Sequence, residues 1–166
     1  MKHNIRIAVT GSHGCGKTTF IDTISDPWQG SYFGASLVMD FGRITLDGDS
    51  NVLLFGTPRA QHFDSMLNIL DQMMCVVMVD SVHPEKFREA RAVLQAVNYF
   101  NIPYVVAANF QDCEDAWHPD DLRIVLRIPA EVPVVPCAAW YRPSVKDVLV
   151  TLFEISFAPV AAAAGG

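Results

Sequence analysis

Between positions 11 and 18 the chain reads Gly11-Ser12-His13-Gly14-Cys15-Gly16-Lys17-Thr18, three glycines followed by a basic residue and a hydroxyl. Glycine at those positions lets successive backbone N–H groups turn inward round an anion with no Cβ in the way. Lysine adds mobile positive charge, and the threonine hydroxyl suits Mg²⁺. The stretch therefore fits G-x-x-x-x-G-K-[ST], the loop that cradles a nucleotide's phosphates. Its flanks agree with that reading. Residues 5–10, Ile-Arg-Ile-Ala-Val-Thr, read as a buried strand feeding the loop. Lys17, Thr18, Thr19 and the residues to Ile24 read as a helix whose N-terminus faces the phosphates.

The elements that must hold such a loop alternate along the chain. Arg43–Leu46 and Val52–Phe55 are β-rich runs separated by Asp47-Gly48-Asp49-Ser50, which predicts an antiparallel hairpin. Gln61–Met74 carries Phe63, Met66, Leu67, Leu70 and Met74 at helical spacing. Cys75–Asp80 is a continuous apolar strand, as in a sheet covered on both faces. Pro84–Phe100 is expected to be the longest helix, with Phe87, Ala90, Leu94 and Val97 on one side. A strand over Pro103–Asn109, a short helix over Pro119–Leu126 and a strand over Val132–Pro136 follow. The closing helix is expected over Ser144–Phe157 with Ser144 as its N-cap. Alternation of this kind predicts an α/β domain over residues 1–158 with a largely parallel sheet; residues 159–166 are expected to form a low-complexity, disordered tail. Ligands of such sheets sit outside the carboxyl ends of the strands, so the loops that follow the strands are read together.

Composition narrows the classes. With 166 residues, 51% of them hydrophobic, the chain suits one domain. A net charge of -6 argues against the broad basic footprint that nucleic acid or an anionic membrane requires. Cys15, Cys75, Cys113 and Cys137 form no C-x-x-C pair, so neither zinc nor a disulfide framework is expected, and the thiols fit a reducing cytoplasm. Neither a signal peptide nor a lipid anchor is expected, so any membrane address would come through a partner. The histidines show no metal spacing. Asp80, at a strand end before Pro84, reads as a turn and capping residue, and Asp40 as a still weaker metal candidate.

The chain resembles the Ras-like small GTPases from Ile5 to about Phe157. Within them it is most similar to a bacterial group associated with roadblock-domain partners and related to the gliding-motility GTPase. Residues 39–44 (Met-Asp-Phe-Gly-Arg-Ile), 54–58 (Leu-Phe-Gly-Thr-Pro), 102–106 (Ile-Pro-Tyr-Val-Val) and 144–149 (Ser-Val-Lys-Asp-Val-Leu) carry that likeness beside the phosphate loop. The resemblance implies a P-loop NTPase G domain: a six-stranded, mostly parallel sheet with one antiparallel edge strand and helices on both faces. It also implies GTP and GDP as ligands, Mg²⁺ as the ion, a roadblock-domain partner, and activating and exchange proteins. Asn109, Phe110 and Asp112 resemble the family's N-K-x-D, with Phe110 where lysine is usual. Asp112 would accept hydrogen bonds from guanine N1–H and the N2 amino group. Adenine offers neither donor there and would leave a carboxylate unpaired. The backbone N–H of Ala138 or Ala139 would meet guanine O6, and Ser36 matches the threonine whose hydroxyl reaches Mg²⁺.

The hydrolytic positions depart from the family. Gly56 cannot hold a metal-bound water as aspartate does, and Ala60 stands where a glutamine would orient the attacking water, so slow hydrolysis is expected. Gln61 or Arg59 could substitute, the latter as an internal arginine finger. His13 would crowd an arginine supplied by a partner and is expected to face solvent. A static pseudo-GTPase scaffold is the alternative that Arg59, Ala60 and Phe110 leave open. A small P-loop kinase ranks last, because no arginine-rich lid segment is visible.

Overall fold

The structure, a computed structural model, describes residues 3–27, 33–34, 37–38, 40–57 and 73–164, with backbone alone at 33–34, 37–38 and 158–164. The first strand, β1 (His3–Gly11), leads through the glycine-rich loop into α1 (Lys17–Ile24). Two short strands, β2 (Phe33–Gly34) and β3 (Leu37–Val38), form a separate antiparallel pair. The predicted hairpin is β4 (Phe41–Thr45) and β5 (Ser50–Gly56), antiparallel with Phe41 opposite Phe55. Strand β6 (Met74–Asp80), a 3₁₀ turn at Pro84–Lys86 and α2 (Phe87–Tyr99) come next. They are followed by β7 (Tyr104–Asn109), α3 (Pro119–Val125), β8 (Val134–Pro136) and α4 (Arg142–Ala164).

The main sheet has six strands in the order β4-β5-β1-β6-β7-β8. Only the edge strand β4 is antiparallel; the other neighbouring pairs run parallel. Strand alternation divides the core between the two faces, because successive side chains of a strand point opposite ways. Ala8, Cys75, Val77, Val79, Val106 and Ala108 pack with Phe87, Ala90, Leu94 and Val97 of α2 and Leu122 of α3. Ile7, Val9, Val76, Met78, Val105 and Ala107 pack with Phe20, Ile21 and Ile24 of α1 and Val145, Val148 and Leu152 of α4. The expected fold class, a mostly parallel six-stranded sheet with one antiparallel edge and helices on both faces, is therefore present.

Two expectations about helices are corrected. The longest described helix is α4 at 23 residues, against 13 for α2. It begins at Arg142 because Pro143 suits the first helical turn. It runs past Phe157 to Ala164, the closing alanines favouring helix although Pro159 within that stretch disfavours it. Ser144 consequently lies inside the helix rather than at its N-cap, and its Oγ accepts the Ala138 N–H at 2.9 Å. The helix expected over Gln61–Met74 lies almost wholly outside the described residues, and Met74 itself belongs to β6. No described helix is long and apolar enough to cross a membrane.

Candidate functional site

The carboxyl ends of β1, β5, β6 and β7 converge beside the loop of residues 11–16. The loop's shape is enforced from both sides. Gly16 has φ 104, in the left-handed region, and a Cβ there would overlap the Asn109 amide. Gly11 is similarly confined, since a Cβ would meet the Met78 carbonyl of β6. Asn109, at the end of β7 and 1% exposed, joins three segments. Its Nδ2 donates to the Cys15 carbonyl at 2.9 Å, and its Oδ1 accepts the Ala139 N–H at 3.0 Å. That side chain therefore locks the phosphate loop to the loop after β8. Each bond is buried, so losing either partner would leave a costly orphan.

Lys17 Nζ donates to the carbonyls of Gly11 and Ser12, both at 3.0 Å, which holds the ammonium against its own loop. Cys15 lies beneath it, and burial pushes its thiol pKa upward although Lys17 pulls the other way. The Cys137 thiol, buried beside the β8 loop, is pushed up to about 11. Both sulfurs are therefore neutral packing groups at neutral pH. Ser12 is fully buried, with no hydrogen-bond partner for Oγ among the described residues. His13 is exposed, as expected.

A cavity of about 490 Å³ opens over this loop, within the size range of small-molecule sites. Its lining includes His13, Gly14, Gly16, Lys17, Thr18, Thr19, Asn109, Phe110 and Ala139 from the residues singled out in the sequence. Gly11, Ser12 and Cys15 are buried in the loop itself, while Asp112 and Ala138 adjoin the cavity without lining it. Neither backbone donor proposed for guanine O6 is free: Ala138 N–H is held by Ser144 and Ala139 N–H by Asn109. The cause is Ser144's place inside the first turn of α4, together with the reach of the Asn109 amide. Ser36, Arg59, Ala60 and Gln61 lie outside the described residues.

Three lining residues, Asp40, Thr57 and Trp140, were not assigned to the site from sequence. Asp40 matters most. The Thr18 hydroxyl donates to Asp40 Oδ2 at 2.6 Å, and the Gly56 N–H donates to the Asp40 carbonyl at 2.8 Å. The second bond places residue 40 across the hairpin from residue 56. The carboxylate missing at Gly56 is thus present on the partner strand. The hairpin register, extended by one residue beyond β4, would have revealed it. Thr57 is 2% exposed, and its hydroxyl donates to Thr10 at 2.9 Å, fixing the exit from β5 against β1.

Asp80, at the end of β6, behaves as the turn residue expected. Its Oδ1 accepts the N–H groups of Val82 and His83 at 3.0 and 3.2 Å, and its Oδ2 meets His83 Nδ1 and Lys86 Nζ at 2.9 and 3.1 Å. Burial opposes ionisation, but the Val82 N–H and the two side-chain partners outweigh it and hold the carboxyl below its ordinary pKa. Among the described residues no three His, Cys, Asp or Glu side chains gather into a metal cluster. Thr18 and Asp40 supply two adjacent hard oxygens. That donor set fits Mg²⁺, which usually takes one or two protein ligands and completes its shell with phosphate and water.

No protein-family model matches the chain, and no curated protein matches it. Among solved structures it is similar to the Arl6 BBS3 small GTPase from Trypanosoma brucei, a structure with the bound nucleotide analogue GppNp. The likeness has a TM-score of 0.71 and covers 92% of this chain and 96% of that one, at 17% identity. At that identity the likeness establishes a shared fold, which by itself does not fix function.

Proposed function

We propose that this protein is a guanine-nucleotide-binding switch that binds GTP and GDP with Mg²⁺ and hydrolyses GTP slowly. One observation carries the reading: a single cavity is lined both by the phosphate loop with its helix start and by Asn109 and Phe110 after β7. Lys17 and the inward amides neutralise a polyphosphate, and the N-terminus of α1 adds its dipole. Thr18 and Asp40 would hold Mg²⁺, which neutralises phosphate charge when bound. Asp112 selects guanine by accepting two donors that adenine lacks. The GppNp bound to the structural neighbour supports a nucleotide in the corresponding fold.

Slow turnover follows from Ala60, whose methyl group cannot orient water; Arg59 and Gln61 are the side chains available to replace it. Single-turnover hydrolysis should be measurable and should fall in Arg59→Ala or Gln61→Ala. Absence of turnover under every condition would favour a static scaffold, the reading that Phe110 and Ala60 motivate. Switching itself is tested by hydrogen exchange across residues 30–65, which should differ between GDP and a non-hydrolysable GTP analogue. The partner to assay first is a roadblock-domain protein, on the strength of the sequence resemblance at residues 39–44 and 54–58. Binding that depends on the nucleotide would support it.

A further inference from the structure

The base end of the cavity has two aromatic walls, Phe110 and Trp140. Phe110 holds φ at 65, a left-handed conformation that a bulky residue keeps only where its surroundings enforce it. Trp140 sits in the turn before α4, is 64% exposed, and has its ring 5.5 Å from that of Tyr141. An indole this exposed is available to move. Its Nε1–H is nonetheless engaged, donating to Asp112 Oδ2 at 2.9 Å. Asp112 itself does not line the cavity. The indole lines the cavity at this corner, whereas the exposed carboxylate it bonds does not.

The chemistry of that contact resembles the one proposed for the ligand. Indole is a flat bicycle with a ring N–H that can only donate. Guanine likewise presents a ring N–H, with an amino group beside it, to the same acceptor. We infer that Trp140 is an internal competitor for Asp112: its N–H holds the base-reading carboxylate until a guanine edge displaces it, and the released ring then covers the base. This inference rests on the guanine-nucleotide reading above.

The competition has two consequences. A protein whose binding-competent form is only a fraction of the whole has its affinity reduced by that fraction, so a contact closed about four-fifths of the time weakens guanine binding about fivefold. A closed contact also satisfies Asp112 without a ligand. Adenine then incurs a smaller penalty, because the carboxylate it fails to pair already has a partner. Trp140 thus lowers both affinity and discrimination.

The test compares the intact protein with Trp140→Phe, which keeps a ring and removes the donor. GDP and ADP are titrated into each by calorimetry, and exchange of the Trp140 indole N–H with water is followed by NMR. Trp140→Phe should bind GDP about fivefold tighter and ADP more weakly, because Asp112 then has no partner when adenine binds. In the intact protein, saturating GDP should accelerate indole exchange. Equal or weaker GDP binding by Trp140→Phe would overturn the inference, as would indole protection that GDP leaves unaltered. Absence of GDP binding in both proteins would instead sink the nucleotide reading and this inference with it.

Discussion

At the scale of single residues, charge and donor pattern decide what the cavity accepts. Removing the Lys17 ammonium deletes a charge-assisted donor worth about 1.5–3 kcal/mol, so Lys17→Ala should weaken GDP binding about 10- to 150-fold in a calorimetric titration. Asp40 gives a sharper test of the proposed Mg²⁺ site. Asp40→Asn should shrink the difference in GDP affinity between Mg²⁺ and EDTA buffers by about tenfold or more, while the affinity in EDTA changes little. Asp112→Asn exchanges one acceptor for a donor. It should lose guanine and gain xanthine nucleotides, whose ring carries a carbonyl where guanine has its amino group.

At the scale of elements, stability and site geometry share the same bonds. Asn109→Ala would strip partners from the Cys15 carbonyl and the Ala139 N–H, both now satisfied by one buried side chain. Two orphaned groups cost about 2 kcal/mol or more, equivalent to a fall of about 4–8 °C in Tm for a domain of this size. The turn after β6 makes the fold acid-sensitive in a definite direction. Asp80's pKa is lowered on folding, so its contribution is complete above the ordinary carboxylate value near 4 and is lost as pH falls through the depressed one. Denaturant titrations across that range should show a steeper acid limb for the intact protein than for Asp80→Asn. The strands of the main sheet and α1 were legible in the sequence because their apolar runs and glycine punctuation are strong local signals, whereas the two-residue strands β2 and β3 are too short to leave one. The length of α4 and the role of Ser144 were not legible, because Pro143 starts the helix before Ser144 and the closing alanines carry it beyond Phe157 despite Pro159.

For the molecule as a whole, the phosphate end of the site was readable as a contiguous motif, whereas the rest is assembled from separate strand ends. Asp40 reads from sequence as only a weak metal candidate because its meaning depends on pairing with Gly56 across a hairpin. Trp140 escaped notice because nothing local ties it to Asp112, 28 positions earlier. Such residues become visible only once sheet order and helix starts are known. The central claim, that one cavity joins a polyphosphate cradle to a guanine reader, is tested most directly by calorimetric titration of GDP and ADP in Mg²⁺ buffer. The account predicts saturable binding of GDP, with ADP at least tenfold weaker. Equal binding of the two nucleotides, or no heat from GDP at any concentration, would contradict it.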